Sequence, residues 1–263
     1  MIKEHLSNIL EAIYKASDAI MEVYNTDFRV ELKSDDSPVT IADKKSNAIL
    51  MEALKKTGVL IVSEEENPHS YEDRKGKTIW LVDPLDGTKD FIRKNDEFCI
   101  CIALVENGIP IFGIIAAPVQ KEIIFGGRDI PSAKINYHTE NFLEESYHLA
   151  KINEEELNAV IYSRTQITPR IDAFIEQQSE KHGEIERIKK GSALKFFDLV
   201  RNSAQVYIRM WPTMEWDIAA GQAIYTALGG EVLNLATFEP LEYNKSDLHN
   251  PQFIAKPKQL TLL

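Results

Sequence analysis

The sequence predicts a layered α/β or α+β protein built as two adjoining subdomains. Three observations lead there. Apolar residues recur every three or four positions in several segments, short β-rich runs lie between those segments, and a strong hairpin signal, Asn107-Gly108, joins two of the longest runs. With 263 residues and 44% hydrophobic content, the chain can bury one large core or two modest ones.

Leu6, Ile9, Ile13, Ala16, Ile20 and Val23 form a stripe that predicts an amphipathic helix over residues 2–24. Ala48, Met51 and Leu54 do the same over 43–56, with Gly58 as the stop, and the polar segment before it, which contains Pro38, reads as a loop. Residues 59–63 and 78–82 read as short buried strands, and both exit at acid: Glu64-Glu65-Glu66 after the first, Asp83 after the second. Strands are expected over 98–106 and 109–117, around the Asn107-Gly108 turn, and over 120–125. The polar stretch 129–155 shows no long core helix and reads as the passage between subdomains spanning 1–130 and 131–263. Beyond it come a strand at 159–163, a helix at 170–182, a strand at 185–188 and a helix capped by Ser192. A strand at 204–210 and an Ala-rich helix at 217–228, closed by Gly229-Gly230, complete the pattern.

Acidic residues outnumber basic ones 41 to 30, and the net charge of −11 argues against a broad polyanion-binding surface and so against nucleic acid as a partner. A small anionic ligand is compatible with it if positive charge is supplied locally. The N-terminus carries charge where a signal peptide would be apolar, and no run approaches the ~18 apolar residues of a membrane span. A cytoplasmic protein without stable membrane insertion is expected, with a peripheral inner-membrane location as the alternative. Cys99 and Cys101 lie two apart on one face of a predicted strand and read as buried small residues rather than as a disulfide, metal site or redox pair.

The most informative stretch is Trp80-Leu81-Val82-Asp83-Pro84-Leu85-Asp86-Gly87-Thr88. Its strand runs into a bend shaped by Pro84 and Gly87, which can present two carboxylates, a backbone carbonyl and a hydroxyl from a rigid base. Oxygen donors so arranged suit a hard divalent ion. Backbone N–H groups at Gly87 and Thr88 would face a phosphate oxygen if a helix turn begins there. Glu64, Asp43 and Asp217 are the candidates for further ligands. Two or three Mg²⁺ ions held this way would reverse the local sign, polarise a phosphoryl group and lower the pKa of a water. Read singly, each acid has a structural explanation: Asp43 or Asp217 as a helix cap, Glu65 and Glu66 as solvated charge, and the bend as an ordinary turn.

Taken in order along the chain, Pro38-Val39-Thr40-Ile41-Ala42-Asp43, Ser63-Glu64-Glu65, the stretch 80–88 and Trp216-Asp217-Ile218-Ala219-Ala220-Gly221 carry a joint signal. Together they resemble the lithium-sensitive, magnesium-dependent phosphomonoesterase superfamily that includes inositol monophosphatase. Thr88-Lys89-Asp90-Phe91, Gly191-Ser192-Ala193-Leu194-Lys195-Phe196 and Pro212-Thr213-Met214-Glu215-Trp216-Asp217 narrow the resemblance to its 3'(2'),5'-bisphosphate nucleotidase branch. The resemblance implies the sugar-phosphatase fold, an α-β-α-β-α sandwich with the active site where the two subdomains meet. It implies hydrolysis of the 3'-phosphate of adenosine 3',5'-bisphosphate to AMP and phosphate, with inositol monophosphatase activity as the alternative. Two or three Mg²⁺ ions, inhibition by Li⁺ and a monomer or homodimer are implied as well.

Carried over position by position, the resemblance makes Glu64, Asp83, the Leu85 carbonyl, Asp86 and Asp217 the metal-site residues. Thr88, paired with Asp43, and Glu64 would orient and activate the attacking water. Gly87, Thr88, Ser163, Arg164, Gly191, Ser192, Lys195 and Asp217 would contact substrate. Ser192 reads equally as a simple cap, Arg164 and Lys195 as solvated charges, and Lys33, which matches a family lysine beside the most loosely held metal, as surface charge. The chain departs from the branch at Thr165-Gln166, where many relatives carry Ser-His, at Ile208 within Tyr207-Ile208-Arg209, and at Met210-Trp211. These departures bear on base preference and 5'-phosphate contacts, and Trp211 reads either as an adenine stack or as core filling.

Overall fold

The structure, a computed structural model, describes residues 2–33, 37–67, 69–137, 146–164 and 169–263. The Thr165-Gln166 departure lies outside the described residues. Helix α1 (Ile2–Tyr24) is followed by a hairpin of β1 (Val30–Leu32) and β2 (Pro38–Thr40) and by α2 (Ile41–Lys55). Then come β3 (Leu60–Ser63), α3 (Tyr71–Arg74), β4 (Ile79–Asp86), α4 (Thr88–Ile92), β5 (Cys99–Glu106), β6 (Ile109–Ala117), β7 (Glu122–Gly127), β8 (Ala133–Asn136) and β9 (Tyr147–His148). The later half runs β10 (Ala159–Ser163), α5 (Pro169–His182), β11 (Glu186–Lys190), α6 (Lys195–Val200), β12 (Val206–Arg209), β13 (Thr213–Met214), α7 (Glu215–Ala227), β14 (Gly230–Asn234), β15 (His249–Asn250) and β16 (Phe253–Pro257).

Strands β3 to β9 form one seven-stranded sheet in sequence order, antiparallel except for the parallel pair β3/β4. A second, five-stranded sheet has the order β11-β10-β12-β16-β14, with β10 parallel to both neighbours. Side-chain alternation assigns each face a partner. Trp80, Val82, Ile100, Ile102 and Ile114 pack with Leu10, Ile13, Leu50 and Leu54 of α1 and α2. From the opposite face, Ile79, Leu81, Cys99, Cys101 and Ile115 meet Phe196 of α6 and Ala219, Ala220 and Ile224 of α7. Ile161, Tyr207 and Ala255 of the second sheet close that same layer. Val160, Tyr162, Val206 and Ile208 turn outward onto Ile171 and Ile175 of α5. The layers therefore run α-β-α-β-α, the sandwich that the resemblance implies.

Helix α7 carries small residues, Ala219, Ala220, Gly221 and Ala223, because it is pressed between two sheets. At Gly113 on β6, a Cβ would collide with the Ala220 carbonyl of α7. Gly113→Ala is therefore expected to cost about 1–3 kcal/mol through overpacking, read as a lower midpoint in urea unfolding. An unchanged midpoint would mean that this crossing is loose.

Several boundaries differ from the sequence reading. Helix α2 begins at Ile41 because Thr40, not Asp43, is its cap, and α7 begins at Glu215 with Asp217 as its third residue. Strand β4 continues through Pro84 to Asp86, its register against β5 slipping between Asp83 and Asp86; such a bulge accommodates a residue with no N–H to donate. Within 129–155, β8 and β9 extend the first sheet at its edge, where a strand needs few apolar residues. The pattern also missed β14 and β16, although β16 is the strand that β12 and β14 both pair with. Among the described residues, no helix is long and apolar enough to cross a membrane.

Candidate active site

The parallel pairing of β3 with β4 sets Ser63 opposite Val82, so the acids that follow both strands emerge at one end of the sheet. The Glu64 N–H donates to the Val82 carbonyl at 3.1 Å, one residue before Asp83. Asp83 Oδ1 accepts the Leu85 N–H at 3.0 Å, which holds the bend, and Ser46 Oγ of α2 donates to the Pro84 carbonyl at 2.7 Å. Gly87 then adopts φ +98°, a left-handed conformation natural to glycine, and a Cβ there would lie 2.8 Å from the Glu97 carbonyl. α4 begins at the next residue, so the helix turn considered from sequence is present at Thr88. α7 delivers Asp217, whose carboxylate accepts the Met214 N–H at 3.0 Å. One carboxylate oxygen each from Asp83, Asp86 and Asp217 lie within 4.8 Å of one another.

Asp43 stands behind this group. Its Oδ2 accepts from the Thr40 N–H at 2.8 Å and from Thr40 Oγ1 at 2.7 Å, while its Oδ1 accepts from Thr88 Oγ1 at 3.0 Å. The helix start thus anchors one oxygen and leaves the other to orient the threonine hydroxyl. Asp43 is the nearer of two acceptors for the Thr88 hydroxyl, the Leu85 carbonyl lying at 3.3 Å, and with its proton given to Asp43 Thr88 Oγ1 can accept a hydrogen bond from a water.

A cavity of about 280 Å³ lies here, and its lining combines the acids Glu64, Asp83, Asp86 and Asp217 with the cations Arg164, Lys195 and Arg209. Leu85, Gly87, Thr88, Ser163, Gly191 and Ser192 line it too. Of the residues singled out from sequence as site residues, Asp43 alone does not reach the wall. Burial pushes the Asp83 carboxyl well up, reinforced by the charges of Glu64, Asp86 and Asp217. Asp86 is raised to about 6 by burial, against the pull of Lys195 and the Ala193 N–H. Asp217 rises well above the usual range through burial and then through Asp86 and Glu64. Burial lowers Lys195 to about 8, opposed mainly by Asp86. Three carboxyls that repel one another, Asp83 buried and Asp86 and Asp217 half-buried, offer only oxygen and are the donor set of a hard divalent cation, so Mg²⁺ fits the residues present.

Five sequence readings need correction. Ser192 is not the cap of α6: it sits at φ +48°, the helix starts at Lys195, and Ser192 Oγ accepts the Leu194 N–H at 3.2 Å. Glu65 is not simply solvated, because its side chain is 9% exposed and Lys33 Nζ reaches it at 2.6 Å and Glu64 at 2.9 Å. Those same two contacts remove the surface-charge reading of Lys33. Lys195 is 2% exposed, over the Tyr207 ring at 5.0 Å, and is no solvated charge. Trp211, at 58% exposure, fills no core.

Glu97 escaped the sequence reading. Its carboxylate takes the Gly191 N–H at 2.6 Å and the Arg164 guanidinium, joining two residues expected to hold substrate. Its partners lie 94 and 67 positions away, so no local pattern reveals it. Its one sequence signal is an acid just before the strand expected over 98–106, where Glu64 and Asp83 stand just after the strands expected over 59–63 and 78–82.

A five-layer sandwich whose carboxylates gather beside a cation-lined cavity defines a phosphatase of the sugar-phosphatase class. The chain belongs to the inositol monophosphatase family, whose model matches residues 2–261. It is 36% identical to the 3'(2'),5'-bisphosphate nucleotidase CysQ of Salmonella typhimurium over 233 residues, which cover 86% of this chain and 89% of that one. With the enzyme of the same name from Escherichia coli K12 it shares 33% identity, across 94% of this chain and 98% of the other. The crystal structure of CysQ from Bacteroides thetaiotaomicron superimposes with a TM-score of 0.84 at 37% identity, covering 96% of this chain and 97% of that one.

Proposed function

We propose that the chain is a Mg²⁺-dependent 3'(2'),5'-bisphosphate nucleotidase that removes the 3'-phosphate of adenosine 3',5'-bisphosphate, leaving AMP and phosphate. The observation that carries this reading is a cavity lined by both acids and cations, in a chain similar almost end to end to nucleotidases of that name. A substrate with two phosphates uses both sets of residues: one phosphate reacts beside the acids, and the other is gripped by Lys195 and Arg209 with the Ser192 hydroxyl. Arg164 and Gly191 are engaged with Glu97 and become substrate contacts where the phosphate displaces that carboxylate.

Asp83, Asp86, Asp217, Glu64 and the Leu85 carbonyl would hold Mg²⁺, in two or three positions, and Li⁺ would compete there. Bound Mg²⁺ supplies positive charge to the phosphoryl oxygens and the leaving group and lowers the pKa of nearby water. Thr88 accepts a hydrogen bond from the attacking water, Asp43 fixes the Thr88 hydroxyl, and Glu64 orients the water from the β3 side. The water attacks in line with the 3'-oxygen and no phosphoenzyme forms. Asp217 lies where the ribose hydroxyl would approach, and the Gly87 and Thr88 N–H groups are assigned to the reacting phosphate. The proposed setting is the cytoplasm, which suits two free thiols. The two-subdomain division belongs to the same reading, and sheet membership supports placing its boundary within 149–158 rather than near 130.

Phosphorus NMR of the product tests the orientation. The expected product keeps the 5'-phosphate as AMP, whereas 3'-AMP would place the wrong phosphate beside the acids.

A further inference from the structure

Cys99 and Cys101 project from the same face of β5 into the layer shared with α7, both fully buried, their Sγ atoms 3.8 Å apart. Cys99 Sγ is also 3.7 Å from Asp86 Oδ2 and 3.6 Å from Ser192 Oγ. The Asp86 carboxylate and both sulfurs lie within 4.8 Å of one another. A tetrahedral Zn²⁺ with Zn–S bonds of about 2.3 Å holds two sulfurs about 3.8 Å apart, and a carboxylate oxygen at about 2.0 Å lies about 3.5 Å from each sulfur. The resting spacings already approach those values.

We propose that Asp86, Cys99 and Cys101 form a site for a thiophilic divalent cation, Zn²⁺ or Cd²⁺, with Ser192 Oγ or a water from the cavity as the fourth ligand. Asp86 and Ser192 line the cavity and give the ion its way in. As the two metal–sulfur bonds form, each thiol releases its proton to solvent, and no electron is transferred. Oxygen donors favour Mg²⁺ and thiolates favour the softer ions, so Asp86 stands between two sites of opposite preference. Occupation of the sulfur site turns Asp86 away from Asp83 and Asp217, and the enzyme is inhibited by Zn²⁺ in a way that excess Mg²⁺ does not relieve. This last consequence rests on the proposed function; the binding itself does not.

Titration of the intact chain with CdCl₂, followed by the ultraviolet thiolate-to-cadmium charge-transfer band, tests the site. A band that saturates at one equivalent is expected. It should be lost in Cys101→Ala and in Cys99→Ala, while in Asp86→Asn it persists with affinity lowered roughly tenfold or more. Circular dichroism establishes that each variant is folded, and Cys101→Val or Cys99→Val replaces the alanine variant at the same position if that one is not. No band at one equivalent, or an unchanged titration in the folded cysteine variants, overturns the site. If cadmium binds as expected but the chain hydrolyses no bisphosphate nucleotide, the functional reading fails and the metal site stands. In the active enzyme, the ratio of activities with and without ZnCl₂ should move toward one in Cys101→Ala, and a ratio as low as that of the wild type contradicts the shared role of Asp86.

Discussion

Asp86→Asn is expected to lower Mg²⁺-dependent phosphate release by at least about 10²-fold, the upper end of what loss of a mere supporting contact to a metal ligand costs. Asparagine keeps the shape and can still accept the Ala193 N–H, so the loss isolates the charge. Stability should move the other way. A carboxyl raised in the fold to about 6 is penalised, as pH climbs past its lower unfolded value, by the cost of ionising inside the protein. At neutral pH without Mg²⁺, the Asn variant is therefore at least as stable as the wild type. Mg²⁺ at about 100 times its dissociation constant should stabilise the wild type by about 2.7 kcal/mol, and the variant far less. Urea unfolding with a chelator and with Mg²⁺ checks both parts, and full turnover in Asp86→Asn would remove Asp86 from the metal set.

Thr88→Val is expected to lower kcat by roughly 10²–10⁴-fold, the usual contribution of a group that helps move the proton of a nucleophile. KM should change little, because the hydroxyl acts on water rather than on the nucleotide. The variant leaves Asp43 bonded to Thr40, so α2 keeps its cap and the protein its fold. Thr88→Ser, which restores the hydroxyl, should recover most of the rate. Turnover undiminished in Thr88→Val would show that the Thr88–Asp43 pair does not serve the attacking water.

Much of this site is readable in sequence because strand ends are local features. An apolar run that stops at an acid can be seen without knowing its partner, and β3 and β4 both do so. That they are parallel neighbours, which brings Glu64 beside Asp83, is a tertiary fact. The sequence pattern places the starts of α2 and α7 two residues late for a related reason: Asp43 and Asp217 look like first residues, but each is the third, folding back on the N–H of residue 40 or 214. Strand β8 has four residues, two of them buried, too few to announce itself, and β16 is short and ends at Pro257. Glu97 and the joint geometry of Cys99 with Ser192 rest on separations of 67 to 94 residues, which only the folded chain closes.

The most direct measurement is kcat/KM for adenosine 3',5'-bisphosphate and for inositol 1-phosphate, each with and without Mg²⁺. A cavity lined by both acids and cations predicts preference for the bisphosphate by more than about tenfold, a difference of about 1.4 kcal/mol in transition-state binding, and loss of both activities without the metal. Preference for inositol 1-phosphate by the same margin would contradict it.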